Sequence, residues 1–434
     1  LGTQNTTSST AIYNTAVGHT AGTSITTGVQ NTLIGGLAGD ALTDADYNVA
    51  VGKGALETDT QGSRSTAVGY SALASQNFSS AANSGNSAFG YNSGGSFTTG
   101  IQNTTVGSLS GDALTDADRN TVLGYQALST DTRGSRSTAL GWNALASQNF
   151  TSATDTYNVA VGYSAGSEIT TGTNNTAIGG LAGDAITTGT ANTVLGQAAG
   201  GMINTGANNT CIGQGAGDAM TTGSSNTFVG ISAGGAGTVT GNSNTTIGNS
   251  AGEAISSGGN NLLLGNDAGR TGSPGGNITT HSNNIVLGDE NISAFYAQVS
   301  LTVSSDQRDK TDFTVLDIGL DFVNKLLPYT YKWDKRSNYG DKTADDYDLN
   351  AQTPDGTHKE DWLDIGFKAQ DVETLEVAEG YKKEDKTNLL ITMTEDGKQY
   401  GMRYEKFVPI LVKALQELSA KNDALEARIK TLEG

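Results

Sequence analysis

Residues 14–22 read NTAVGHTAG, and residues 31–39 read NTLIGGLAG. The two phrases lie 17 residues apart, and the shared frame Asn-Thr-x-apolar-Gly, with close variants, recurs sixteen times up to Gly288. Eleven of the fifteen gaps between the frame's glycines are 17 residues, and the other four are 21, 21, 18 and 23. The run 17, 17, 17, 21 occurs twice, which makes a 72-residue superrepeat from Gly18 to Gly90 to Gly162. GDALTDAD (39–46 and 111–118) and ALASQNF (72–78 and 144–150) return at that offset. A fixed period of this length marks a repeat architecture.

Each frame position has a physical reading. The residue before the glycine is apolar in all sixteen copies, from Val17 to Leu287. Thr or Val usually stands two before it, an alternation of period two that predicts a short strand. A small residue such as Ala21, Ala38, Ala55, Ala72, Ala127 or Ala144 follows four after it. This pattern leaves one large and a few small side chains per coil for a thin interior. Glycine at the corner permits positive φ or a close backbone approach. Asn opens fourteen frames, Ser65 and Ser137 being the exceptions, and stacked Asn side chains form hydrogen-bonded ladders. A 17-residue unit buries no core alone, so the units must stack into a solenoid. At about 4.8 Å per stacked strand, sixteen coils make a rod of roughly 75 Å. The glycine density and the missing 3.6-residue period exclude helical repeats. NTAVGHTAG and NVAVGYSAG (158–166) resemble the head repeats of trimeric autotransporter adhesins, which are β-rolls of three chains.

Composition divides the chain near residue 300. The first 300 residues hold 6 Lys+Arg, 17 Asp+Glu and 51 of the 59 glycines; the last 134 hold 19, 27 and 8. The chain has 434 residues and a formal charge of −19, which argues against a nucleic-acid surface, since phosphate contacts need clustered Lys and Arg. The single cysteine, Cys211, excludes an intrachain disulfide framework and a cysteine-built metal site. The calcium-binding nonapeptide pattern is absent, so no metal and no cofactor is expected. No apolar run of about 18 residues indicates membrane insertion, and no signal segment opens the chain. The first residue is Leu1 and not Met, as in a fragment or processed product.

Immediately after the repeat glycine stand Tyr70, Tyr91, Tyr125, Trp142 and Tyr163, five of six consecutive coils. Such a column is a candidate glycan-binding platform; the commoner alternative is stacking that stiffens the rod, and that reading is favoured. Thr pairs such as Thr26-Thr27 invite an ice-binding reading, but they end in Gly like ordinary turns.

After Asn291 the repeat stops, and residues 291–304 are expected as a junction strand. Residues 315–327 are expected as a helix ending at Pro328, YTYKW (329–333) as a strand, and 334–361 as a polar loop. IGFKAQDVETL predicts a strand turning into a helix, and NLLITMTEDGKQYGMRY a hairpin turning at Asp396-Gly397. The end of the chain, 407–433, has Val408, Leu411, Leu415, Leu418, Asn422, Leu425, Ile429 and Leu432 spaced by 3 and 4, an a/d seam. Asn422 takes an a position, where a polar residue sets register and oligomer state. This seam predicts self-association over an amphipathic helix folded on its own domain.

SDQRDK (305–310), LLPYTYKW (326–333), IGFKAQDVE (365–373) and YGMRYEKFVPILVKALQEL (400–418) follow in that order. Together they resemble the C-terminal intramolecular chaperone of phage endosialidases, tailspikes and tail fibres, a self-cleaving serine peptidase domain. The resemblance implies that 305–434 trimerises the preceding fibre and then cuts itself off between Ser304 and Ser305. Its Ser-Asp-x-Arg-x-Lys motif falls on Ser305, Asp306, Arg308 and Lys310, with Asp309 where relatives often carry Leu. Ser305 is then the nucleophile and Lys310 its base, which requires burial that leaves the amine neutral, with Asp306 in support and Arg308 or backbone N–H groups facing the oxyanion. From spacing alone, a Ser and a Lys five apart would be solvated bystanders.

The expected fold is therefore mainly β: a parallel β-solenoid or β-roll shaft over 1–290, trimeric, then a small α+β chaperone domain ending in a coiled coil. The expected function is a viral tail fibre or appendage, assembled in the host cytoplasm and carried on the virion. Its partners would be two further copies of itself, other tail proteins, and a polysaccharide or protein receptor on the host surface. The alternatives are a bacterial trimeric surface adhesin, which needs a membrane anchor, and a polysaccharide-degrading spike, which needs paired carboxylates in a cleft. The shaft's acidic residues, such as Asp40, Asp44 and Asp46, cluster in turns, so no external substrate is expected.

Overall fold

The structure, a computed structural model, describes residues 2, 4–5, 11–235, 237–298, 301–341, 347–394 and 396–434. They form two compact units, Leu1–Ala268 with Thr279–Leu287, and Gly269–Ile278 with Gly288–Gly434.

The first unit is the solenoid. Each frame contributes a three-residue strand, from Thr15–Val17 to Ile285–Leu287, and the sixteen strands form one parallel sheet in sequence order. Register follows the repeat: Thr15 faces Thr32, Ala16 faces Leu33 and Val17 faces Ile34. The Asn column is a ladder. Asn14 Oδ1 accepts from the Asn31 N–H at 2.8 Å, and Asn31 Oδ1 accepts from Asn48 N–H at 2.9 Å. From Asn14 to Asn261 each frame Asn Nδ2 also donates to a main-chain oxygen across the coil, as Asn31 does to Ala45 O at 2.8 Å. One side chain thus satisfies the strand entry and the opposite turn.

The corner glycines from Gly18 to Gly248 hold φ between +131° and +143°. Cβ sterics exclude this region for other residues, so this column accepts no substitute.

The interior corrects one expectation. Of the strand's three residues the middle one points in: Leu33, Ala50, Val122, Cys211 and Phe228 are fully buried. The apolar residue before the glycine points out, and Val17, Ile34, Leu123, Leu195 and Ile247 are exposed. Period two placed both on a strand but did not say which side faced the axis. The remaining interior is the small residue of the turn (Ala21, Ala38) and an aliphatic seven after the glycine, such as Ile25, Leu42, Leu114 or Ile186.

Two pairs of coils break this rule together. Seven after the glycine stand Asp59, Gln76, Asp131 and Gln148, all fully buried. In the same coils Leu56, Leu73, Leu128 and Leu145 replace the turn glycine, are fully buried, and take φ of 50° to 55°. The leucines restore apolar volume at the cost of a left-handed backbone. Asp59 accepts from Gly62 N–H at 3.0 Å, Phe78 N–H at 3.1 Å and Gln76 Nε2 at 2.6 Å. Gln76 Nε2 also donates to Ser65 Oγ at 3.0 Å, and Gln76 Oε1 accepts from Asn86 Nδ2 at 2.9 Å. Gln76 thereby bridges the ladder where Ser65 interrupts it. Asp131, Gln148, Ser137 and Asn158 repeat the arrangement 72 residues on.

The second unit is small and mixed. Tyr329–Tyr331 pairs antiparallel with Asp364–Gly366, and Ile391–Met393 with Tyr400–Met402. Its helices are α1 (Leu320–Val323), α2 (Ala369–Ala378) and α3 (Phe407–Glu433). Ile318, Phe322, Val372, Leu390, Ile391, Phe407 and Ile410 form its core. The helix expected over 315–327 shrinks to α1: Gly319 precedes it with φ −151° and ψ −124°, and Glu417 of α3 accepts from Leu320 N–H at 2.8 Å. The described residues of 291–304 hold no strand, because their backbone finds no ladder partner within the chain; Val299 and Ser300 lie outside the described residues.

Candidate self-processing site

A single 3-10 turn, Gln307–Asp309, builds the site. Asp306 caps it, its carboxylate accepting from Arg308 N–H at 2.9 Å. The same carboxylate takes Arg308 Nε at 3.1 Å and Nη2 at 2.6 Å. These bonds from Arg308 hold the Asp306 carboxyl below the usual range. The turn closes with Lys310 N–H donating to Gln307 O at 3.2 Å. That fold-back brings Lys310 Nζ within 2.6 Å of Ser305 Oγ and 3.3 Å of Ser305 O. Residues five apart in sequence become a hydrogen-bonded nucleophile and amine, the geometry a Ser-Lys pair needs.

The structure therefore brings Ser305, Asp306, Arg308 and Lys310 together. Arg308 is spent on Asp306, so its part here is to hold the turn and not to face the Ser304 carbonyl. Ser304, Ser305 and Lys310 are all exposed. None of the described residues covers the Lys310 amine.

On α3, Phe407, Ile410 and Ala414 face the core, while the a/d seam points away from it. Leu415, Leu418, Leu425, Ile429 and Leu432 are exposed, and Asn422 Nδ2 donates to Glu426 Oε1 at 3.2 Å. A 27-residue helix with so long an uncovered apolar stripe lacks a partner within its own chain.

A family model described as chaperone of endosialidase matches residues 305–384, beginning at Ser305 itself. Residues 305–384 are thus similar to a chaperone-of-endosialidase domain. No curated protein matches the chain. The chaperone match covers the Ser-Lys turn, the first antiparallel pair and α2; the hairpin and α3 continue the same compact unit. Sequence reading missed one member of this unit, Glu376 on α2. It is buried and accepts from the N–H groups of Leu389, Leu390 and Ile391 at 2.9, 2.6 and 3.2 Å. One of three acidic residues on a short helix, it gives no sign in the sequence that it will bind backbone 13 to 15 residues later.

Outside the chaperone domain, the aromatic column forms as two stacked pairs. Tyr70 and Tyr91 lie 5.5 Å apart between centroids at 12°, and Trp142 and Tyr163 4.9 Å apart at 8°. Tyr125 stands by itself between them, Ser108 filling the sixth coil. Stacking covers one face of each paired ring, and all five rings of the column remain about half exposed. Among the described residues no group of His, Cys, Asp and Glu could hold a metal ion, and no helix is long and apolar enough to cross a membrane.

Proposed function

We propose that this chain is the shaft of a homotrimeric viral tail fibre or appendage that attaches to a host surface. Its chaperone domain joins three copies and then releases itself by autocleavage. The observation that carries this reading is the Ser305–Lys310 contact inside a chaperone-of-endosialidase domain fused to a sixteen-coil solenoid. Near-identical coils can pair in many registers, and joining three chains at one end fixes one register before the rod forms.

The chemistry follows from the turn. Neutral Lys310 takes the proton from Ser305 Oγ, which attacks the carbonyl carbon of Ser304. The C–N bond to Ser305 breaks as the amide nitrogen receives that proton, leaving an ester between Ser304 and the Ser305 oxygen. Water hydrolyses the ester, and two chains result. A lysine base needs desolvation, and because Lys310 is exposed in one chain, neighbouring copies must supply it. Cleavage then follows assembly, which makes assembly one-way.

The test compares the full chain with residues 1–304 synthesised alone, by sedimentation. The reading expects a trimer from the full chain, and monomer or aggregate from 1–304. A full chain that stays monomeric, or an equally good trimer from 1–304 alone, contradicts it.

A further inference from the structure

The sixteen strands each present two residues outward. One column is the apolar residue before the glycine, aliphatic except for Phe89, and the other, two residues earlier, is Thr, Ser or an aliphatic throughout, as at Thr121, Thr193 and Thr245. Neither column contains a single Asp, Glu, Lys or Arg. Leu123 is 51% exposed, Leu195 43% and Ile247 44%. The face is about 75 Å long and about 10 Å wide, on the order of 750 Å². With its aliphatic and Thr columns counted together, the face is close to the roughly 800 Å² each partner contributes to a stable interface.

We propose that this outward face of the sixteen-stranded sheet is the surface along which the shafts of three copies of this chain pack. The inference deepens the trimer reading above and rests on it. A partner must match an apolar column that repeats every coil along the whole rod while offering no charge to meet. A second copy lying parallel, coil against coil, meets both conditions, since interface cores are depleted of charge. The exposed seam of α3 imposes the same demand at the other end of the sequence. The Thr column fits this seat: β-branched hydroxyls flank the aliphatics and pack on a pleated surface without a charge to desolvate.

The test places single cysteines in the full chain at Leu123→Cys, Leu195→Cys and, on the flank, Gln197→Cys, which is exposed in the lone chain. Native Cys211 stays silent, because it is fully buried and burial pushes its thiol up to about 12. Maleimide alkylation of the native protein is followed by mass, with sedimentation on the same samples. The proposal expects trimers in which the two face thiols react about tenfold or more slower than the flank thiol. Trimers whose face and flank thiols react alike overturn the packing face and leave the trimer reading standing. Monomers overturn both. A face variant that fails to sediment as trimer while Gln197→Cys succeeds supports the face.

Discussion

A methyl group built on Gly162 falls 2.5 Å from the carbonyl oxygen of Gly179, one coil further along the shaft. The atom it meets is backbone of the facing strand end, and φ at Gly162 is +138°. Neither coil can relax without breaking the other's register. Gly162→Ala should therefore destabilise the shaft by about 3 kcal/mol. Gly180→Ala, where a new Cβ meets nothing within 4 Å, should change stability by less than about 0.5 kcal/mol. Urea denaturation of both variants checks the pair; equal effects contradict the coil-to-coil contact.

Asp59 gathers three donors, of which Gln76 Nε2 also reaches Ser65 Oγ. Asp59→Ala leaves Gly62 N–H, Phe78 N–H and Gln76 Nε2 without it, an expected local loss of about 3 kcal/mol or more. Stacked repeats lose stability locally before they lose it globally. Hydrogen exchange should accelerate across 59–86 and stay unchanged in the copy at 131–158. Uniform acceleration along the shaft would contradict the lock.

The two units should respond to acid with opposite signs. Burial pushes the carboxyls of Asp40, Asp112, Asp184 and Asp218 in the shaft above their ordinary value. A raised folded pKa means the charged form is disfavoured by folding, so the shaft gains stability as pH falls through those values. In the chaperone unit, the Leu320 N–H holds Glu417 below its ordinary value, and Arg308 does the same for Asp306. Their contribution is full above the ordinary carboxylate range and is lost as pH falls through the lowered values. Calorimetry from pH 7 to pH 3 should show the shaft's transition rising first and the chaperone unit's falling last. A shaft transition that falls from the start would contradict this.

Much of the shaft was legible because its determinants are positional. The Asn and Gly columns recur at fixed spacing, and each has one conformational use, so ladder and corner follow from the spacing. The side of the strand that faces the axis was not legible, since Ala16 and Val17 alternate equally well either way; the coil's turn direction decides it. Asp59 and Gln76 were hidden because a polar residue in a polar repeat draws no notice until its column is seen to be aliphatic elsewhere. In the second unit, Leu320–Val323 fell short of the expected helix because Gly319 and the Glu417 cap set its start. The Ser305–Lys310 spacing was visible, yet their contact depends on the turn that Asp306 caps.

The central claim is that Ser305 and Lys310 cut the chain before Ser305. Intact-mass spectrometry of freshly made protein under denaturing conditions, beside a Ser305→Ala variant, tests it most directly. The account predicts two fragments meeting at Ser304 and Ser305 from the unmutated chain and one intact chain from the variant. A single intact mass from both would contradict it and make residues 305–434 a permanent cap.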